Sequence, residues 1–329
     1  MSRIIINKFS SKITQDITQG ASQAMLYALG MKKEDMKKAQ VGISSVYFAG
    51  NPCNNHLNIL SDLTKESVNQ HKSNQIIGLP FYLPGISDGI SMGTEGMKYS
   101  LPSRELISDS IEAMMVGHSY DANVSIAGCD KNLPGCLMGI LKVNRPSAMI
   151  YGGSIKPGIH NNKEVNIVDA FQSYGLLKSR KINEEQHQSL IKSCCPGSGA
   201  CGGMYTANTM AIALEVMGII LPNSSSNIAL SEQKLGECKQ MGDIIYHLLK
   251  EDLCPREIIT EKSITNAIKA VITVGGSTNA VLHLLAIANI IDLDICIDDF
   301  NVIGKDVPVY GNFKPFGDYL MNDLNNIGG

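Results

Sequence analysis

Asn123-Val-Ser-Ile-Ala127 runs straight into Gly128-Cys-Asp-Lys131, and this passage decides the reading of the fold. A short apolar run closed by glycine is the pattern of a strand buried on both faces that ends in a tight turn. The pattern occurs on either side as well. Val41-Gly-Ile-Ser-Ser-Val-Tyr-Phe48 leads into the turn Asn51-Pro-Cys-Asn54, and Pro146-Ser-Ala-Met-Ile-Tyr151 is closed by Gly152-Gly153. Between the first two lies Ser103-Arg-Glu-Leu-Ile-Ser-Asp-Ser-Ile-Glu-Ala-Met-Met115. Its spacing predicts a covering helix with Leu106, Ile107, Ile111, Met114 and Met115 on one face and Ser103 as its cap. Further helices are predicted at about 203–217, 264–272 and 278–291 from apolar periodicity. Strands alternating with helices predict an α/β fold, with parallel sheets flanked by helices. Residues 152–195 show the least periodicity and read as an excursion over the surface.

The chain has 329 residues, 44% of them hydrophobic and 18% charged, enough for a large apolar core without disulfide staples. Its 28 basic and 31 acidic side chains leave a net charge of -3, so nothing electrostatic favours nucleic acid as a partner. No run approaches the roughly 18 apolar residues a spanning helix needs, so a membrane partner is not expected either. Residues 1–10 read as a leader, basic and free of acids. That leader is short for a transit peptide, which makes the cytoplasm the expected compartment. The ending at 325–329 reads as the start of a linker.

Nine cysteines are too irregularly spaced for a disulfide framework, so each reads as core, ligand or nucleophile. Cys53, Cys129 and Cys201 occupy strand-end turns, the last in Pro196-Gly-Ser-Gly-Ala-Cys-Gly-Gly203. Any one alone reads as a core filler. Three in comparable turns point to a shared metal or cluster site, because ligands of open α/β sheets gather beyond the carboxyl ends of strands. No Cys-x-x-Cys pair joins them, so the site must be assembled from distant segments. Three thiolates leave one iron position open to a substrate oxygen, which points to Lewis-acid catalysis rather than electron transfer. Cys136, Cys238, Cys254 and Cys296 read as packing, while Cys194 and Cys195 stay ambiguous.

Asp88, in Ile86-Ser-Asp-Gly-Ile-Ser-Met-Gly93, and Asp130 occupy similar turns. Each reads either as a turn-stabilising side chain or as an oxygen ligand suited to Mg²⁺. Lys131 beside them reads as a surface cation unless it is held near the metals, where it must lose its charge or be modified. Val274-Gly-Gly-Ser-Thr-Asn-Ala280 reads either as an anion cradle or as a turn with Ser277 or Thr278 as cap. His283 reads as a packed core histidine, and His56 as a weak candidate for facing the cysteine site.

Taken together, seven segments resemble the dihydroxy-acid and phosphogluconate dehydratases. They are Val41-Gly-Ile-Ser-Ser, Gly50-Asn-Pro-Cys-Asn-Asn-His-Leu57, Ser87-Asp-Gly-Ile-Ser-Met-Gly-Thr94, Tyr99-Ser-Leu-Pro-Ser-Arg-Glu105, Gly128-Cys-Asp-Lys-Asn-Leu-Pro-Gly135, Ala200-Cys-Gly-Gly-Met-Tyr-Thr-Ala-Asn-Thr-Met210 and Gly275-Gly-Ser-Thr-Asn-Ala-Val-Leu-His283. They run in the family's order over nearly the whole chain. The resemblance implies that Cys53, Cys129 and Cys201 bind an iron–sulfur cluster, 2Fe–2S rather than 4Fe–4S by the cysteine in Asn51-Pro-Cys-Asn54. It implies that Asp88, Asp130 and a carbamylated Lys131 bind Mg²⁺.

The implied reaction is dehydration of 2,3-dihydroxy carboxylic acids to 2-oxo acids. The implied substrates are 2,3-dihydroxyisovalerate and 2,3-dihydroxy-3-methylvalerate of valine and isoleucine biosynthesis. A sugar-acid dehydratase of the same superfamily, or a truncated cluster-binding remnant, is the alternative. Members of the family are longer, with a C-terminal barrel-like domain that supplies a serine base and a metal-binding glutamate. None of its motifs is present here, so residues 1–329 read as the N-terminal domain of a two-domain dehydratase, with no catalytic base of their own. The expected partners are a small dihydroxy acid and a second copy in a homodimer.

Overall fold

In the computed structural model, which describes residues 5–329, four strands form one parallel sheet in the order β2-β1-β3-β4. They are β1 (Ala39–Ser45), β2 (Ile76–Tyr82), β3 (Ala122–Ala127) and β4 (Ser147–Tyr151). Parallel neighbours need a crossover, and here the crossovers are the helices Leu57–Asn69, Ser100–Gly117 and Asn132–Val143. The chain leaves β1 for β2 on one side and returns to β3 on the other. The order therefore reverses between β1 and β3, and the crevice beyond their carboxyl ends is the place where such sheets bind ligands.

Side-chain alternation puts a helix layer on each face. Val41 is the register partner of Gly78, so Gly42 points to the opposite face from Gly78. A β-carbon on Gly78 would meet Lys65 and Val68 of the helix Leu57–Asn69, and one on Gly42 would meet Met115 of the helix Ser100–Gly117. Val41, Ile43, Val124 and Ile126 fill the first face and are fully buried. Truncating Ile43 or Ile126 to alanine would cost about 2–5 kcal/mol by the cavity it leaves. The second face carries Ser44, Asn123 and Ser125, which satisfy one another: Ser44 Oγ lies 2.8 Å from Ser125 Oγ, which donates to Asn123 Oδ1 at 2.6 Å.

The covering helix starts one turn earlier than its sequence suggests. A 3₁₀ turn, Glu95–Tyr99, feeds directly into Ser100, and Pro102 sits in the first turn, where no N–H is required. Ser103 is consequently not the cap; it lies buried in the second turn, with its Oγ donating to Ser100 O at 2.6 Å. Ile107, Ile111 and Met115 form the buried face, whereas Leu106 is 52% exposed and Met114 half-buried. The neighbouring helix sets that choice. Gly135 and Gly139 bring its backbone so near that a β-carbon on either would lie 2.8 Å from Arg104 O or from Ile111 Cβ.

The strand expected over 41–48 pairs only as far as Ser45, because the Asn54 side chain takes the carbonyl of Val46 and turns the chain. Residues 152–195 are ordered rather than irregular. They hold a hairpin of β5 (Gly158–His160) and β6 (Lys163–Val165) and two helices, Ile167–Lys178 and Glu184–Cys194. Asn166 and Asn183 start those helices with capping boxes. The other predicted helices are present at Thr206–Val216, Glu261–Thr273 and Asn279–Ile290.

Residues 1–4 of the expected leader lie outside the described residues. Its remainder is docked: the N–H groups of Phe9 and Ser10 donate to Asp121 Oδ1 at 2.7 and 3.1 Å, and the Arg145 guanidinium covers the Phe9 ring at 3.7 Å. At the other end, the helix Met321–Asn326, with Met321 fully buried, runs into the first two residues of the stretch 325–329 read as the start of a linker. Among the described residues no helix is long and apolar enough to cross a membrane.

Candidate functional site

The crevice between β1 and β3 is built by two turns in main-chain contact. The turn after β3 carries Gly128 and Cys129, and a β-carbon on Gly128 would strike the carbonyl oxygen of Cys53 at 2.1 Å, so only glycine lets the two cysteine turns meet. A third strand-end segment joins them beyond β4. Ala200 bridges Ser154 in parallel, and Gly199 N–H donates to Pro52 O at 2.9 Å, which seats Cys201 beside Cys53. The three cysteines singled out by sequence are thus brought together. The neighbouring thiols of Cys129 and Cys201, and then burial, push the Cys53 thiol well up. Cys201 is lowered, chiefly because the Cys53 thiol bonds to its thiolate, against the pull of burial and of Asp130 and Asp88.

Cys53 and Cys201 open onto a cavity of about 160 Å³ with Ile90, Ile155 and Leu320 among its walls. Cys194 and Cys195 line the same cavity; Cys194 is buried with its Sγ donating to Leu190 O, and Cys195 is exposed. Cys136 and Cys238 pack inside helices, where burial pushes their thiols up to about 12 and about 11.

The carboxylates adjoin the thiols. Ser87 caps the turn Asp88–Ser91, which buries Asp88. Asp88 Oδ1 accepts from Ser100 Oγ, and its Oδ2 from Lys131 Nζ, each at 2.5 Å. Lys131 is therefore a buried cation in an ion pair rather than a surface one. Asp130 is raised to about 6, first by burial and then by the negative charge of Asp88, while Lys131 and the Ala207 N–H oppose the rise. Two carboxylates that close cannot both ionise freely unless a cation lies between them.

His283 is fully buried on the helix Asn279–Ile290, where Arg104 Nη1 donates to its Nδ1 at 3.2 Å. Burial, Arg104 and Lys131 hold it down to about 3, so it is neutral and carries its proton on Nε2, which has no partner among the described residues. His56 does not offer its Nε2 to the thiols; that nitrogen donates to Gly152 O at 2.8 Å, and burial lowers the ring's basicity. The Val274–Ala280 turn spends its polar groups on the helix Thr206–Val216: Thr209 Oγ1 accepts from Ser277 N–H, and Asn279 donates to Thr206. It is a packing turn. Thr278 begins the next helix without a side-chain cap.

Among the described residues no three His, Cys, Asp or Glu side chains close round the position of a single metal ion. The donors fall instead into a sulfur set and an oxygen set side by side. Three soft thiols from separate turns, with no histidine among them, suit an iron–sulfur cluster in kind. Asp88 and Asp130 are the hard donors Mg²⁺ requires. Lys131 as an ammonium competes for that place, and becomes a donor only once its charge is removed.

The sequence reading missed the side chains that hold these turns, chiefly Asn54, Asn132, Asn208 and Tyr151, all fully buried. Asparagine in a turn looks like local turn chemistry, and nothing local shows that its partner lies in another turn.

The description "Dihydroxy-acid/6-phosphogluconate dehydratase N-terminal" matches residues 38–329. A dihydroxy-acid dehydratase of Francisella tularensis subsp. novicida is 53% identical over 325 residues, covering 99% of this chain and 58% of the relative. A mitochondrial dihydroxy-acid dehydratase of Aspergillus fumigatus is 55% identical over 327 residues, covering 98% of this chain and 54% of the relative. The chain thus spans a little over half the length of these relatives. It belongs to the dihydroxy-acid/6-phosphogluconate dehydratase family and corresponds to that family's N-terminal region.

Proposed function

We propose that the chain is the ligand-bearing part of a dihydroxy-acid dehydratase, a hydro-lyase of valine and isoleucine biosynthesis. Its substrates would be 2,3-dihydroxyisovalerate and 2,3-dihydroxy-3-methylvalerate. The observation that carries this reading is the meeting of Cys53, Cys129 and Cys201 with Asp88, Asp130 and Lys131 at one sheet switch point. The names of the relatives support it. Cys53, Cys129 and Cys201 would hold a 2Fe–2S cluster, and Asp88, Asp130 and a carbamylated Lys131 would hold Mg²⁺. When bound, these groups supply Lewis acidity, iron toward the departing 3-hydroxyl and Mg²⁺ toward the carboxylate and the enolate-like charge.

The chain's own residues do the rest of the work at this site. Ser100 orients Asp88 by its short hydrogen bond. Asp130 ionises near pH 6, so at neutral pH its negative charge is available to a cation. The buried walls Ile155 and Leu320 limit water around the thiols. His283 cannot take the α proton, since its Nδ1 lone pair is occupied by Arg104 and its Nε2 already carries hydrogen. We place the α-proton acceptor in the part of the relatives' length that this chain does not span. Nine free cysteines support a reducing compartment, and we keep the cytoplasm, with cell fractionation as its check. A homodimer remains the proposed assembly.

The test is formation of 2-oxo acid from 2,3-dihydroxyisovalerate, with a sugar acid as the competing substrate. The chain is compared alone and joined to the remaining length of a relative. The joined protein should turn over the branched substrate and the chain alone should be silent. Turnover by the chain alone within about tenfold of the joined protein, roughly 1.4 kcal/mol in barrier, would place the acceptor among these residues. Preference for the sugar acid would transfer the reading to that branch of the family.

A further inference from the structure

We infer that four buried asparagines, Asn51, Asn54, Asn132 and Asn208, are positioning residues that fix the three thiols before any group is bound; this rests on reading Cys53, Cys129 and Cys201 as one ligand set. Each of these cysteines has a main-chain atom of its own held by a fully buried asparagine. Cys53 N–H donates to Asn51 Oδ1 at 3.1 Å, Cys129 N–H to Asn132 Oδ1 at 3.0 Å, and Asn208 Nδ2 donates to Cys201 O at 2.7 Å. Among the described residues none of the other six cysteines is held in this way. Cys254 and Cys296 donate to carboxylates of their own helix starts, and Cys194 and Cys238 use their sulfurs on carbonyls one turn back.

The amides also tie the turns to one another. Asn51 Nδ2 donates to Asn54 Oδ1 at 3.3 Å, and Asn54 Nδ2 donates to Val46 O and, at 2.9 Å, to Asn132 Oδ1. Asn132 Oδ1 therefore takes one hydrogen from the Cys129 turn and one from the Cys53 turn, which fills both its lone pairs. Asn208 spends its second hydrogen on Gly203 O at 2.6 Å, and its Oδ1 accepts from the hydroxyl of fully buried Tyr151 at 2.5 Å. Tyr151 ends β4, so the Cys201 turn is tied to the sheet. Leaving a buried amide group unpaired costs about 1–3 kcal/mol, and these four side chains make their hydrogen bonds at every group but Asn132 Nδ2, which has no partner among the described residues. Here those bonds go to the cysteine turns, the arrangement by which outer groups orient metal ligands.

The experiment uses the full chain, freed of metal and reloaded anaerobically with ferrous iron and sulfide in competition with a chelator. Bound iron is read by sulfur-to-iron absorption, and the thermal midpoint of the metal-free protein is recorded alongside. Wild type should load and Cys129→Ser should not. Asn132→Leu, which keeps the volume and loses the acceptor, should lower affinity about 10–100-fold, the usual cost of losing an outer partner of a ligand. Asn132→Asp keeps an acceptor at Oδ1 and replaces Nδ2, which has no partner among the described residues, by a second carboxyl oxygen, so it should restore loading. Should Asn132→Leu fail to fold, Tyr151→Phe, which removes one hydroxyl, is the deciding variant and should weaken loading. A folded Asn132→Leu, or failing that a Tyr151→Phe, with wild-type affinity would overturn the proposal. Failure of Asn132→Asp to restore loading would overturn it as well. Wild type that does not load at all would remove the ligand-set reading itself, and the positioning role with it.

Discussion

Gly128 lies so close to Cys53 that a β-carbon would come within 2.1 Å of the Cys53 carbonyl oxygen. The obstacle is main chain, so no rotamer change can relieve it, and the turns after β1 and β3 would have to separate. Gly128→Ala is expected to cost about 1–3 kcal/mol or more by overpacking, and to lose iron and sulfide loading out of proportion to that cost. The two are measured by urea unfolding and by absorption. A Gly128→Ala protein that loads as well as wild type would show that the spacing of Cys53 and Cys129 does not depend on this contact.

Lys131 Nζ lies 2.5 Å from Asp88 Oδ2, and both side chains are buried. Lys131→Met leaves Asp88 without its cation and should destabilise the metal-free chain by about 3–5 kcal/mol, whereas Asp88→Asn should cost less, because the charge of Asp130 still faces Lys131. The double variant should lose clearly less than the sum, since it strands neither. Additive losses in urea unfolding would mean that the two groups do not act as a pair.

His283 gives the chain a pH dependence of known sign. Its folded value is lowered to about 3, first by burial, while the unfolded chain takes up the proton near 6.5. A lowered histidine contributes fully above the unfolded value, and that contribution is lost as pH falls from about 6.5 toward 3. Between pH 7.5 and pH 5 the loss should be roughly 2 kcal/mol, at about 1.36 kcal/mol per unit below 6.5. His283→Gln should show a shallower decline by that amount. An unchanged slope in urea unfolding at the two pH values would mean that this ring is protonated in the fold.

The strands and cysteine turns were legible because each signal is local: a buried run closed by glycine, proline or asparagine. Val41 to Ser45 and Asn123 to Ala127 announce themselves, and so does the contrast between Cys129 in a turn and Cys238 in a helix. The face of the helix Ser100–Gly117 was legible in part: Ile107, Ile111 and Met115 are buried as read, whereas Leu106 and Met114 fall outside the contact that Gly135 and Gly139 of another helix set. The order of residues 152–195 was not legible, since the helices capped by Asn166 and Asn183 bury only Ser173 and Cys194 and so present no long apolar face. The links that complete the site are distant in sequence. Asn54 and Asn132 lie 78 residues apart, and Arg104 and His283 lie 179 apart. A sequence shows that a residue sits in a turn, but not which other turn it faces.

Whether Cys53, Cys129 and Cys201 form one ligand set is decided most directly by reconstituting single serine variants anaerobically with iron and sulfide and recording their visible absorption. Cys53→Ser, Cys129→Ser and Cys201→Ser should each lose the sulfur-to-iron bands, whereas Cys238→Ser, buried in the helix Glu232–Glu251, should keep them. Bands that survive in Cys129→Ser and vanish in Cys238→Ser would contradict the assignment of these three thiols.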